Sequence, residues 1–152
     1  MVAFDAHSAL SMVDNALRDR VNSENVMTAQ LSSAGWIAPS PEDVRKGISA
    51  KRINAFANLG LTRSDVLRVI GAPPKLSRRK LTREESDRLA RLARVVEHAI
   101  ELFGSTENAV QWLQQPISAL PYDNTPLDML DTDPGAEWVH EHLARTAFGM
   151  VA

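Results

Sequence analysis

The sequence predicts an all-α protein, and three observations predict it. Apolar residues recur at helical spacing in segment after segment, Ser, Thr or Asp stands at the start of most of these segments, and glycine or proline punctuates their ends. No stretch alternates apolar and polar residues for long enough to make a sheet. With 152 residues, 44% of them hydrophobic, the chain carries enough apolar material for a core without metal or disulfide staples. It contains no cysteine, which excludes disulfides and thiolate chemistry. The first residues, with Asp5 and His7, lack the basic start and apolar run of a signal peptide, and charges interrupt every apolar stretch before it could span a bilayer. A soluble, cytoplasmic protein with no membrane partner is expected.

Taken in order, residues 4–21 set Ala6, Leu10, Val13, Leu17 and Val21 near a helical period, and a first helix is expected there. Residues 22–40 are rich in Ser, Asn, Thr and Gly and close at Pro39 and Pro41, as a linker would. Residues 1–40 therefore read as an N-terminal extension, partly mobile, with arm, dimer contact and disorder all open as its role. Over 41–80 short helices follow. Ile53, Phe56, Ala57 and Leu59 form a stripe that stops at Gly60, and Thr62 caps a helix carrying Val66, Leu67, Val69 and Ile70 that stops at Gly71. Pro73-Pro74 then presets another short helix containing Leu76. Helix, glycine turn and short basic helix together outline a helix-turn-helix.

A second helical domain is expected over 81–152. Thr82 and Glu85 have the spacing of a capping box, and Leu89, Leu92, Ala93, Val96, Ala99, Ile100 and Phe103 continue one stripe to Gly104. Ser105 caps a helix through Trp112 and Leu113 that Pro116 stops. Thr125-Pro126 and Asp133-Pro134 are cap-plus-proline starts, the second opening a helix through Val139, Leu143 and Ala147 toward Gly149.

A net charge of −2 conceals a segregation. Residues 1–62 balance, residues 63–94 hold ten basic side chains against four acidic ones, and residues 95–152 hold Arg145 against nine acidic ones. Two surfaces for two partners are expected, one of them a polyanion; an uneven solvated surface is the plain alternative. Lys75, Ser77, Arg78, Arg79 and Lys80 are the candidate DNA contacts, because arginine grips guanine edges with two hydrogen bonds while lysine and serine suit phosphates. Arg83, Arg88, Arg91 and Arg94 read first as solvated or intrahelical partners, as in a Glu84–Arg88 pair. Trp112 is expected in the core, whereas Trp138 suits core or interface equally. His140 and His142 diverge by about 200° on a helix and cannot share a metal, and no phosphate-cradling loop or nucleophile motif is present. No cofactor, metal or catalytic residue is expected, and the chain reads as a binding protein, not an enzyme.

Residues 81–149 resemble the toxin-binding domain of Xre/MbcA/ParS-type antitoxins. The resemblance lies in Leu81-Thr82-Arg83-Glu84-Glu85-Ser86-Asp87-Arg88-Leu89-Ala90-Arg91-Leu92-Ala93, in Ala99-Ile100-Glu101-Leu102-Phe103-Gly104, in Ala109-Val110-Gln111-Trp112-Leu113, in Thr125-Pro126-Leu127-Asp128-Met129-Leu130, and in Gly135 through Gly149. Residues 47–80, ending in Leu76-Ser77-Arg78-Arg79, resemble the Xre-like helix-turn-helix that precedes it. The resemblance implies an antitoxin whose cognate RES-domain toxin consumes NAD or transfers its ADP-ribose, and whose C-terminal region obstructs the toxin's active site. It assigns toxin contact to Trp138, Glu141, Arg145, Phe148, Gly149, Met150, Val151 and Ala152. It further implies a homodimer that binds operator DNA and represses its own operon. Two other readings stay open: a free-standing helix-turn-helix repressor without a toxin, and a purely protein-binding antitoxin whose helix-turn-helix no longer binds DNA.

Overall fold

The computed structural model describes residues 14, 18, 38–120, 124–147 and 149. The helix expected over 4–21 and the linker after it lie outside these residues, apart from Asp14 and Arg18, both helical and exposed. The elements of the described residues are helices, in the order α1 (Pro41–Lys46), a 3-10 turn (Ala50–Arg52), α2 (Ile53–Asn58), α3 (Arg63–Ile70), α4 (Arg83–Phe103), α5 (Thr106–Gln114), α6 (Pro126–Met129) and α7 (Asp133–Ala147).

The caps read from the sequence close as expected at most of these starts. Thr62 accepts from the Asp65 N–H and Ser105 from the Asn108 N–H, while Ser40 and Asp43, at the end of the expected linker, add a capping box ahead of Pro41 that the sequence reading did not single out. Thr82 and Glu85 exchange hydrogen bonds of 3.2 and 2.8 Å, and Thr125 and Asp128 form the same box at α6. One cap differs. The hydroxyl of Thr132, not Asp133, accepts from the Gly135 N–H and opens α7. Asp133 becomes the first helical residue, and its carboxylate is left to meet Arg91.

The 21 residues of α4 make it about 30 Å long, the axis on which the rest is built. It packs against α1, α3, α5 and α7. Its buried face is broader than the single stripe read from the sequence, because Ala90 and Val95 are buried beside Leu89, Leu92, Ala93, Val96, Ala99 and Ile100. A wide face lets one helix cover two partners. Ile53, Phe56, Leu61, Val66 and Ile70 join the core from one side, and Ala109, Leu113, Leu127, Leu130, Val139 and Leu143 from the other. The two modules thus share a continuous core through α4.

The short helix expected after Pro73-Pro74 is absent. Residues 72–80 run without helix, and residues 79–81 pair antiparallel with 48–50 in an isolated bridge between Ser49 and Lys80. The Ala50 N–H donates to the Arg79 carbonyl and the Leu81 N–H to the Ile48 carbonyl, both at 2.9 Å. The physical reason is twofold. A residue before proline is pushed toward extended backbone, which holds Ala72 and Pro73 out of helix. The backbone groups that a helix over 75–80 would need at its end are already committed to the 48–50 segment. The two consecutive helices joined by a short glycine turn are α2 and α3, with residues 59–62 between them and Gly60 at φ 101°.

Candidate functional site

Two surfaces carry the chemistry that the sequence separates by charge. The first is a cleft of about 650 Å³ on the helix-turn-helix module, lined by Ser49, Ala50, Lys51, Asn54, Arg63, Leu76, Arg78 and Arg79. The 3-10 turn supplies Lys51, α2 supplies Asn54, the first position of α3 supplies Arg63, and the extended segment supplies Arg78 and Arg79. An Arg63 guanidinium N–H donates to the Asn54 Oδ1 at 3.1 Å. Arginine and asparagine are side chains that read guanine and adenine edges; here Arg63 opens α3 and Asn54 lies on α2.

The five expected DNA contacts divide. Lys75, Ser77 and Arg79 are exposed. Arg78 instead forks onto Glu85, with Nη2 to Oε1 at 2.8 Å and Nη1 to Oε2 at 3.2 Å. The Glu85 side chain is only 9% exposed, so Arg78 holds the capping box of α4 closed. Burial disfavours the Glu85 carboxylate, but Arg78 and the Thr82 N–H outweigh it and hold its pKa below the usual value. Lys80 reaches back to the Lys46 carbonyl at 3.3 Å. The expected Glu84–Arg88 pair gives way to a contact in which Arg88 donates to the Ile70 carbonyl at 3.2 Å, at the C-terminal end of α3.

Other cations join the two modules. Arg68 on α3 pairs with Asp128 at the start of α6, and Arg91 on α4 pairs with Asp133 at the start of α7 and with Asp87. Part of the charge segregation along the sequence is therefore a set of ion pairs across the module boundary. The cations that remain at the cleft are Lys51, Arg63 and Arg79, with Lys75 exposed on the neighbouring segment. Sequence reading missed Lys51, Asn54 and Arg63. The signal was present in Thr62, whose cap places Arg63 first on the helix after the glycine turn.

The second surface is a row of half-buried rings on the acidic module. Trp138 stacks on His142 with centroids 4.7 Å apart and planes 11° apart, and Trp112 stacks on the same imidazole at 6.0 Å. Phe103 meets Trp112 at 5.6 Å. Trp112 and Trp138 both pack against the core while remaining partly exposed, so neither is wholly core nor wholly surface. His98 and His140 stack at 5.7 Å between α4 and α7. Burial, then the charges of His98 and Arg94, lowers the His140 pKa; burial, then Arg145, lowers that of His142. Both imidazoles are therefore neutral at pH 7.

Glu141 and Arg145 face solvent as an i, i+4 pair at 3.7 Å. Gly149 has φ 64°, the left-handed conformation that turns a chain out of a helix. Phe148, Met150, Val151 and Ala152 lie outside the described residues. Among the described residues no group of three His, Cys, Asp or Glu side chains could hold a metal ion, and no helix is long and apolar enough to cross a membrane.

Comparison with known proteins follows the same division. Residues 41–94 match the antitoxin Xre-like helix-turn-helix domain, and residues 98–149 match the antitoxin Xre/MbcA/ParS C-terminal toxin-binding domain. A protein named antitoxin Xre from Photorhabdus laumondii is 37% identical over 125 residues, covering 68% of this chain and 84% of the relative. An antitoxin Xre from Yersinia enterocolitica is 34% identical over 117 residues, covering 72% of this chain and 78% of the relative. With both domains present in order and most of each relative covered, this chain belongs to the Xre/MbcA/ParS-type antitoxin family.

Proposed function

We propose that this antitoxin silences a co-encoded RES-type toxin that consumes NAD or transfers its ADP-ribose, by seating its acidic helical module over the toxin's active pocket. Its basic module binds operator DNA as part of a homodimer and represses the operon. Neutralisation works by occupancy, with no chemistry on the substrate. The C-terminal region from Arg145 onward enters the pocket and competes with NAD for polar groups.

One observation supports the division of labour above the rest. The cationic cleft belongs to α2, α3 and the segment before α4, the ring row belongs to α5, α7 and the end of α4, and α4 packs into both modules. A surface with Lys51, Arg63 and Arg79 suits a phosphate backbone with base edges. A half-buried aromatic row among carboxylates suits a protein.

The experiment has two arms. The product of the adjacent gene, co-purified with this chain, is assayed for NAD consumption with and without it. A stable complex that loses activity is expected, and truncation after Phe148 is expected to restore toxin activity. Full inhibition by the truncated chain would remove the plug, and absence of any complex would remove the toxin reading. In the second arm, Arg63→Ala and Arg79→Ala are measured against upstream DNA by gel shift at fixed salt. Each is expected to weaken binding about tenfold or more. Unchanged affinity in both would remove the cleft as the DNA surface.

A further inference from the structure

We propose that the stacked rings Phe103, Trp112, His142 and Trp138 form a pre-ordered ridge that anchors the toxin, fitting an apolar slot edged by lysine and arginine on that partner. This rests on the reading of the acidic module as the toxin-binding surface and names where and by what chemistry the contact is made. It moves the centre of the contact from the tail to the exposed edge of α5 and α7.

The geometry carries the argument first. The three ring contacts, at 5.6, 6.0 and 4.7 Å, link α4, α5 and α7 in one continuous row. Each ring is partly exposed although it packs against its neighbour. Two tryptophans left partly exposed at one place are a favoured centre for an interface. Because the rings already stack on one another, docking requires little further loss of side-chain freedom, and the ordering cost falls on the fold. The neutral imidazole of His142 completes the row without placing a charge in it.

Charge then selects the partner. Glu137 and Glu141, four residues apart and exposed, lie along one flank of Trp138 on α7. The single basic side chain of residues 95–152, Arg145, is already paired with Glu141. An apolar row with carboxylates along one flank disfavours nucleic acid and anionic lipid and complements a protein slot with basic side chains on the matching side.

The test uses the full chain and the co-encoded toxin in calorimetric titrations, after each variant's melting curve shows that it folds. Trp138→Ala is expected to weaken binding at least about thirtyfold. The Glu137→Lys/Glu141→Lys pair is expected to weaken it about tenfold or more, with the deficit narrowing at high salt. Glu42→Lys on α1, a reversal of the same kind remote from the ridge in sequence, is expected to bind as wild type does. If Trp138→Ala fails to fold, the charge-reversed pair decides alone. A wild-type complex together with variants that bind within twofold of it overturns the ridge and leaves the antitoxin reading standing. No complex with wild type removes both.

Discussion

Replacing Arg78 by alanine should unsettle the fold before it touches any ligand. Its guanidinium makes two hydrogen bonds to Glu85, whose side chain is 9% exposed, while that of Arg78 is 43% exposed. A fully exposed pair contributes about 0.2–1 kcal/mol, and breaking a fully buried one costs about 3–5 kcal/mol. This pair lies between, and Glu85 keeps its bond from the Thr82 N–H, so the loss is about 2 kcal/mol. For a chain of this size that lowers Tm by roughly 5–8 °C. The sign with pH is fixed as well. The folded pKa of Glu85 lies below its ordinary value of 4.5, so its contribution is present above that value and lost as pH falls through the folded pKa. The gap between wild type and Arg78→Ala should therefore be full at pH 7 and shrink below pH 4.5. Thermal unfolding followed by circular dichroism at both pH values measures it. A variant that melts within 1 °C of wild type at pH 7 would refute the reasoning. A double Arg78→Ala/Arg79→Ala variant would accordingly mix lost stability with lost DNA contact, whereas Arg79→Ala isolates the contact.

Other substitutions test the packing and the module boundary. Gly71→Ala puts a side chain at φ 72° with its Cβ 2.5 Å from an Arg88 nitrogen, and should cost about 1–2 kcal/mol in urea unfolding; an unchanged midpoint would contradict it. Gly135→Ala meets the Met129 carbonyl oxygen at 1.9 Å, where backbone must move, and should cost more than about 3 kcal/mol, with the opposite ranking of the two glycines as the refuting result. A double-mutant cycle on Arg68→Ala and Asp128→Asn should give a coupling of about 0.5–1 kcal/mol, since both groups are partly exposed, and one that does not fall with salt would be inconsistent with an ion pair. The His140 pKa lies below 6.5, so the unfolded chain takes up its proton first and stability declines from pH 6.5 downward; His140→Gln should flatten that decline, and an identical pH profile would exclude the effect.

The all-α class, the helix starts at Thr62, Thr82, Ser105 and Thr125, the stops at Gly71 and Gly104, and the order of the two modules were legible along the chain. Caps and stripes are local: a hydroxyl reaches an N–H three residues on, and an apolar face repeats within one helix. What escaped was set by partners distant in sequence. Residues 75–80 could form a helix in isolation, but Ile48 and Ala50 claim the backbone of Arg79 and Leu81. Arg78 reads as a free cation until Glu85 is seen to be buried against it, and Arg68 and Arg91 read as surface charge until Asp128 and Asp133 arrive across the boundary. Phe103, Trp112, His142 and Trp138 stand on three helices, and no spacing within any one of them reveals that they stack. Periodicity records which face of a helix is apolar, whereas the choice of neighbour for each charge and ring is made only when the helices pack.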